Sequence, residues 1–452
     1  MTDIQKKEFK KWQYRTIIGT IFGYALFYFV RKNLSMAMPG IEADLGITKT
    51  DLGLFLTLQG VVYGVCQFIN GTFSDRKNAR WYMTTALLLC VCANVVFGFS
   101  DAISQAITGD SSGDAFLRVT ILVMGITWVF NGMCQSAGFP PCARLLTHWV
   151  PPHELATKMS IWNTSHSIGA GLVVILCGYL MTHMGRGESH VGAWRYCFLV
   201  PAMISGLGAL ILFATIRDTP KSVGLPELEG TESADAPKDD SDVAAAKEFI
   251  VRHVFKNPLI WILCFANFFV YVVRFGILDW GPTLLSQSKH VTLEHAGWLV
   301  AGFEISGITG IMFAGWATDK FLKGKSHQSC MFCMIGAAIM VAIFWFLPAG
   351  MPSWIYSFAL CGAGFCIYGP QGLVGVAAAN LATKKAAGTA NGLKGMFGYM
   401  STLISGVGFG YVAQHFGWNA VYMVMIGMAI VGMCIFIYMW NAPANGYEEN
   451  KS

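Results

Sequence analysis

The chain has 452 residues, of which 54% are hydrophobic and 13% are charged, with a formal net charge of +5. This composition is too apolar for a soluble globular protein and is typical of a protein that crosses a membrane many times. The basic residues lie between apolar runs and the net charge is small, so the sequence gives no support to nucleic-acid binding.

Twelve apolar stretches are long enough to cross a bilayer, which takes about twenty residues. They lie at 16–38, 51–73, 80–100, 118–142, 156–182, 194–215, 258–284, 296–318, 328–348, 353–381, 387–413 and 416–440. The acidic string ELEGTESADAPKDDSD separates the sixth from the seventh and is typical of a flexible linker. We therefore predict an all-α membrane protein with six-helix halves at 1–216 and 258–452, joined by a linker at 217–257.

The orientation follows from the distribution of lysine and arginine. The two termini, the linker and the loops on their side carry 22 of these residues, and the opposite loops carry 5. Because cytoplasmic loops are enriched in lysine and arginine, both termini and the linker are predicted to be cytoplasmic. No small-residue cleavage site follows the first apolar run, so we expect it to be a retained span.

Two pairs of similar strings repeat at nearly the same offset. YFVRK at 28–32 and YVVR at 271–274 place Arg31 and Arg274 243 residues apart. GTFSDR at 71–76 and GWATDK at 315–320 are 244 residues apart. This indicates an internal duplication in which each half contributes one arginine to a shared central site.

An arginine inside an apolar stretch is costly and therefore marks a candidate functional site. In the first span Tyr24, Tyr28 and Arg31 lie at i, i+4 and i+7 on one face of a helix, and Tyr271 lies one turn before Arg274. Guanidinium groups match phosphate or carboxylate oxygens in a bidentate manner, so the two arginines predict an oxyanion clamp. The alternative is that each arginine is a structural ion-pair partner.

The charges inside the predicted spans do not balance. Buried charges need partners, and the excess of cations over acids predicts a bound dianion. The intramembrane cations are Arg31, Lys32, Arg274 and Lys394, and the intramembrane acids are Asp279 and Glu304.

Several further polar residues are candidates for the same cavity. His166 either makes a hydrogen-bonded helix contact or binds the substrate and titrates with it. Lys394 either lines the cavity or extends toward the cytoplasm. Tyr63, Tyr368 and Tyr399 supply hydroxyl groups, although tyrosines in helices also serve packing.

The repeated loop strings contain Asp75, Arg76 and Asp319. They either hold helix ends together in one conformational state or only set the orientation of the chain. The sequence contains no GxxxxGK[ST], HExxH or nucleophile-elbow motif, which argues against an enzyme. We expect no metal, nucleotide or redox cofactor.

The strings GYALFYFVRKN, GTFSDRKNAR, GFPPCARLL, WNTSHSIGAG, YVVRFGILDW, YGPQGLVG and KKAAGTANG together resemble the organophosphate:phosphate antiporters of the major facilitator superfamily. The resemblance covers nearly the whole chain except the linker and tails. It implies twelve helices in two pseudo-symmetric halves that exchange an organic phosphate for inorganic phosphate by a rocker-switch motion.

The resemblance also implies roles for particular residues. Arg31 and Arg274 would bind the phosphoryl group, with His166 nearby. Tyrosines would surround the cavity, and further charged residues would form ion pairs that rearrange between states. These tyrosines are Tyr24, Tyr28, Tyr63, Tyr368 and Tyr399, and the ion-pair candidates are Lys32, Asp279 and Glu304.

Two positions depart from the family pattern. Gln67 stands where members usually have a lysine, and Asn391 stands where some hexose-phosphate carriers have an acid one turn before Lys394. Gln67 and Lys394 are therefore candidates for setting substrate preference. The strings are most similar to the hexose-phosphate and sugar-phosphate-sensor branch, so we expect glucose 6-phosphate as the substrate of a monomer in a bacterial inner membrane. The alternatives are a sugar-phosphate sensor, or an antiporter for glycerol 3-phosphate or a phosphoglycerate.

Overall fold

The computed structural model describes residues 2–187, 190–228 and 248–444. Within these ranges the chain is almost entirely helical, and the β-structure is limited to an isolated antiparallel bridge between Arg186 and Val191. The predicted linker 217–257 is described at both of its ends, and its residues 229–247 fall outside the described residues.

The chain divides into two compact units. The first comprises Met1–Ile47 and Val65–Pro237, and the second comprises Thr48–Gly64 and Lys238–Ser452. The segment Thr48–Gly64 thus groups with the second unit, although it precedes most of the first in the sequence. The predicted halves 1–216 and 258–452 stay a prediction about the organisation of the sequence.

The first nine helices begin before the linker. They are α1 (Asp3–Phe29), α2 (Asn33–Leu45), α3 (Lys49–Arg76), α4 (Ala79–Gly98), α5 (Ser100–Thr108), α6 (Asp114–Gln135), α7 (Phe139–Trp149), α8 (Pro152–His183) and α9 (Ala193–Thr215). In the first unit α1 packs against α8 and α9, and α4 packs against α6 and α9.

Seven α-helices and two π-helical segments lie in the described range 248–444, and the first π-helical segment falls within the end of the predicted linker. They are a π-helical segment at Val251–Phe255, α10 (Pro258–Lys289), α11 (Leu293–Phe321), α12 (Ser326–Phe346), α13 (Ser353–Leu381), α14 (Thr383–Met400), a second π-helical segment at Leu403–Gly408, α15 (Phe409–Phe416) and α16 (Trp418–Tyr438). In the second unit α13 packs against α11 and α12.

Side-chain caps explain where several helices begin. The Thr2 hydroxyl accepts a hydrogen bond from the Gln5 N–H, and the Gln5 side chain reaches back to the Thr2 N–H, so α1 begins with a capping box. Asn78 caps α4 by accepting the N–H of Trp81, and Asn257 caps α10 directly before a proline.

Hydropathy correctly located most of the spans. Nine helical segments among the described residues are long and apolar enough to cross a membrane. The predicted stretches 16–38, 51–73 and 387–413 lie outside these nine, but all three are largely helical. The predicted number of twelve spans therefore stays a prediction.

The first part of α3 packs closely within the second unit. Thr57 Oγ1 donates a hydrogen bond to the Thr402 carbonyl at 2.6 Å and accepts one from the Val407 N–H at 2.8 Å. Val407 lies in a π-helical segment, where the regular i→i−4 ladder is interrupted and backbone groups become available. A Cβ atom at Gly53 would lie 2.5 Å from the Gly406 carbonyl oxygen, so this approach of the two backbones requires glycine.

Candidate functional site: buried arginines and their surroundings

Arg31 lies in a break between two helices. The sequence predicts a continuous span over 16–38, but α1 ends at Phe29 and α2 begins at Asn33. The backbone N–H groups of Arg31 and Lys32 both donate to the Tyr28 carbonyl, at 3.2 Å and 2.9 Å. The prediction that Arg31 continues the helical face of Tyr28 is therefore wrong in its geometry, because the chain turns between the two helices.

Arg31 lies beside the Tyr28 ring, which in turn meets the rings of Tyr24 and His166. The Arg31 guanidinium lies 5.4 Å from the centre of the Tyr28 ring, and the Tyr24 and Tyr28 rings are 5.6 Å apart. The His166 ring meets Tyr28 edge-on at 5.8 Å, and its Nδ1 is hydrogen-bonded to the carbonyl of Asn163. Arg31 is only 6% exposed. The first unit therefore brings a cation, two phenol rings and an imidazole together.

Arg274 is positioned differently from Arg31. It lies in the middle of the continuous helix α10 and is 4% exposed. Its guanidinium donates to the Tyr368 hydroxyl at 2.9 Å and lies 3.7 Å from a carboxylate oxygen of Glu304, which is 0% exposed. An arginine facing lipid at the centre of a helix would cost about 2.5–3.5 kcal/mol on insertion scales, and the Glu304 carboxylate offsets this charge.

Tyr63 and Tyr399 extend this cluster in the second unit. Their rings are 4.5 Å apart, and the Tyr399 ring is 6.4 Å from that of Tyr271. The Tyr271 ring in turn lies 5.6 Å from the Arg274 guanidinium. Tyr63 thus belongs to the surroundings of Arg274, although its position in the sequence suggests the first half.

Lys394 and Gln67 lie in different units. The Lys394 carbonyl accepts a hydrogen bond from Asn267 at 3.0 Å, and a Cβ atom at Gly375 would lie 3.2 Å from the Lys394 ammonium. Within the part of the chain that the structure describes, Lys394 forms no ion pair. Gln67 is half-buried on the part of α3 that belongs to the first unit. A role for either residue in substrate preference stays a prediction.

The predicted conformational ion pairs are described only in part. Lys32 and Asp279 are buried, and their pairing stays a prediction. Glu304 lies beside Arg274, and Asp319 is exposed on α11. The side chains of Asp75 and Arg76 fall outside the described residues.

The sequence places Asp75 in a loop, but α3 extends to Arg76, and the short connection after it is held by residues to which the sequence assigned no role. Arg144 donates to the carbonyls of Ser74 and Lys77 at 2.9 Å and 3.0 Å. Arg144 also lies 3.5 Å from the Asp218 carboxylate, which accepts the N–H of Ala79 at 2.7 Å. Arg144 and Asp218 therefore join the connection between α3 and α4 to α7 and to the segment that follows α9.

Lys289 is one of the five basic residues that the sequence assigns to the loops opposite the termini, but the structure places it in a buried contact at the end of α10. Its ammonium donates to the carbonyls of Trp345 and Leu347, where α12 ends, and lies near the rings of Phe344 and Tyr422. The last carbonyls of a helix have no partner within the helix. Lys289 therefore supplies hydrogen-bond donors to the carbonyls at the end of α12, a contact that the sequence did not predict.

We expect Lys289→Met to destabilise the second unit, because it leaves these carbonyls without their donor. A hydrogen bond to a charged group contributes about 1.5–3 kcal/mol, so the unfolding temperature of the purified protein should fall by several degrees. Lys320→Met is the matched control, because Lys320 is exposed on α11 and surface substitutions usually change stability by less than about 0.5 kcal/mol. Equal unfolding temperatures for the two variants would contradict this role.

Comparison with known proteins places the chain in a family. The sequence model of the Major Facilitator Superfamily matches residues 20–393 and 282–452. The chain is 34% identical to a probable hexose phosphate transport protein of Chlamydia muridarum, over 99% of this chain and 95% of that protein. It is 35% identical to the glycerol-3-phosphate transporter of Bacillus subtilis, over 96% and 93%. It is 32% identical to the membrane sensor protein UhpC of Salmonella typhimurium, also over 96% and 93%.

A solved structure confirms the fold. The crystal structure of a bacterial homolog of the human lysosomal transporter Spinster, in an inward-facing and occupied conformation, matches with a TM-score of 0.71. The match covers 94% of this chain and 96% of that chain at 14% identity. The chain therefore shares a multi-helix fold with that structure, in agreement with the all-α fold that the sequence predicts. The chain belongs to the Major Facilitator Superfamily, within its organophosphate:phosphate antiporter branch.

Proposed function

We propose that this chain is a secondary antiporter that exchanges a sugar phosphate, first of all glucose 6-phosphate, for inorganic phosphate by alternating access. The observation that carries the proposal is a buried arginine with aromatic neighbours in each unit, Arg31 and Arg274. Planar guanidinium groups bind phosphate oxygens through paired, charge-assisted hydrogen bonds. Similarity to hexose phosphate and glycerol-3-phosphate transporters supports a phosphorylated substrate.

Charge and hydroxyl groups support an anionic substrate. The first unit offers Tyr24, Tyr28 and His166 near Arg31, and the second offers Tyr368 beside Arg274. These groups can donate hydrogen bonds to a phosphoryl group or to sugar hydroxyls. In this proposal the protein is a monomer of the bacterial inner membrane with both termini in the cytoplasm, which the distribution of lysine and arginine supports.

The proposal is tested by exchange in liposomes that contain the purified protein. The liposomes are loaded with phosphate, and uptake of labelled external phosphate is followed with glucose 6-phosphate, glycerol 3-phosphate or 3-phosphoglycerate as competitors. We expect rapid uptake that depends on internal phosphate and is inhibited best by glucose 6-phosphate. Uptake into liposomes that contain no internal anion would contradict antiport. Stronger inhibition by another competitor would mean that this competitor, and not glucose 6-phosphate, is the preferred substrate.

The similarity to membrane sensor protein UhpC favours a second candidate, a sugar-phosphate sensor. The same residues would bind the ligand in a sensor, so the two candidates differ in transport and not in recognition. Binding of glucose 6-phosphate without any phosphate exchange would identify the sensor.

A further inference from the structure

The break after α1 takes from the Phe27 carbonyl the donor that a continuous helix would supply. In a continuous helix the Phe27 carbonyl would accept the N–H of Arg31, but that N–H donates to Tyr28 instead. Val30, between the two helices, is completely buried. The bilayer interior supplies no water to such groups, so they must find partners within the protein.

Three carboxamide side chains supply these partners. Asn94 and Asn131 donate to the Val30 carbonyl at 3.0 Å and 2.9 Å, and Gln135 donates to the Phe27 carbonyl at 2.9 Å. They come from α4 and α6, and all three are buried. The break is therefore built into the packing of three helices and is not a local irregularity of the first span.

Asn94 also fixes the far side of the break. Asn33, the first residue of α2, donates to the Asn94 side-chain oxygen at 2.8 Å and to the Cys197 carbonyl at 3.0 Å. Asn94 is thus bonded to the chain before Arg31 and to the chain after Lys32. Arg31 therefore lies between Val30 and Asn33, which are both hydrogen-bonded to the Asn94 side chain.

We propose that Asn94, Asn131 and Gln135 are positioning residues that hold the break between α1 and α2 and so orient Arg31 toward a phosphoryl group. This inference rests on the proposed function of Arg31. It also explains why the two repeated arginines differ, since Arg274 lies in a continuous helix and is oriented by Tyr368 and Glu304.

Gln135→Leu tests the proposal, with Gln13→Leu as a matched control. Gln13 lies on α1, is also buried, and donates to the Trp149 carbonyl at the same distance of 2.9 Å, but away from the break. The first measurement is hydrogen–deuterium exchange in peptides that contain the N–H groups of Arg31 and Lys32. We expect their exchange to be at least tenfold faster in Gln135→Leu and unchanged in Gln13→Leu.

The second measurement is the phosphate concentration that gives half-maximal phosphate exchange in liposomes. We expect it to rise at least tenfold in Gln135→Leu, while the unfolding temperature falls no further than in Gln13→Leu. Gln135→Glu keeps the shape of the side chain but replaces the donor by an acceptor. It should show the same change, and it serves as the test if the leucine variant does not fold.

The two measurements separate this inference from the proposed function. Unchanged hydrogen exchange at Arg31 would overturn the positioning role, whatever the transport result. Faster exchange with an unchanged half-saturating phosphate concentration, or an equal rise in Gln13→Leu, would overturn the link to phosphate binding. A wild-type protein that neither exchanges nor binds phosphate would overturn the proposed function, and the hydrogen-exchange result would still decide whether the carboxamides hold the break.

Discussion

Replacing Arg31 with alanine should lower the rate of phosphate exchange at least about 100-fold while leaving the protein folded. The reason is that two hydrogen bonds between a charged donor and phosphate, at about 1.5–3 kcal/mol each, correspond to roughly that factor or more. Arg31→Lys keeps the charge but loses the planar fork, so we expect it to restore only part of the rate. The measurement is uptake of labelled phosphate by liposomes loaded with phosphate.

Arg15 provides the control for this substitution. It lies on α1, the helix that ends just before Arg31, is exposed, and contacts the Trp12 ring and the Ala214 carbonyl. Arg15→Ala should therefore exchange phosphate at a rate close to that of the wild type. Near-normal exchange by Arg31→Ala would mean that Arg31 does not bind the phosphoryl group.

Removing Glu304 should have the largest effect on stability. Glu304→Leu removes the carboxylate that lies 3.7 Å from the buried Arg274 guanidinium. Breaking a buried ion pair by removing one partner costs about 3–5 kcal/mol. We expect a large fall in the unfolding temperature of the purified protein.

The double variant Arg274→Met/Glu304→Leu completes this test. Apolar residues of similar size often replace a buried ion pair without loss of stability, so the double variant should recover most of the unfolding temperature. It should still fail to exchange phosphate, because Arg274 is absent. A double variant as unstable as Glu304→Leu would contradict the pairing, and one that exchanges phosphate normally would remove Arg274 from the proposed site.

Hydropathy and local motifs predicted those features that depend on neighbouring residues. Apolar runs located most of the helices because a membrane span must satisfy its backbone within itself. Tyr28 and Arg31 are three positions apart in the chain, so their sequence alone indicates that the guanidinium lies near the phenol ring, and the two are 5.4 Å apart.

The features that the sequence did not predict depend on distant residues. Residues 30–32 contain no glycine or proline to mark a helix break. The break is held by Asn94 and Gln135. Asn94 is 64 positions from Val30, whose carbonyl it contacts, and Gln135 is 108 positions from Phe27. Likewise Lys289 ends an apolar run, and its partners at the end of α12 are 56 and 58 positions away. One signal in the sequence could have pointed to the break, namely the carboxamides inside apolar spans. Burying a carboxamide is costly unless it is hydrogen-bonded.

The contact between Thr57 and Thr402 has a consequence for the synthesis of the protein. The two residues are 345 positions apart, and chains elongate at about 5–20 residues per second, so roughly 20–70 s pass between the appearance of one and the other. During this interval the first part of α3 lacks the backbone and hydroxyl partners that it has in the completed second unit. The close packing of α3 must therefore form late, after most of the chain has been made, and chains that end before Thr402 cannot acquire it.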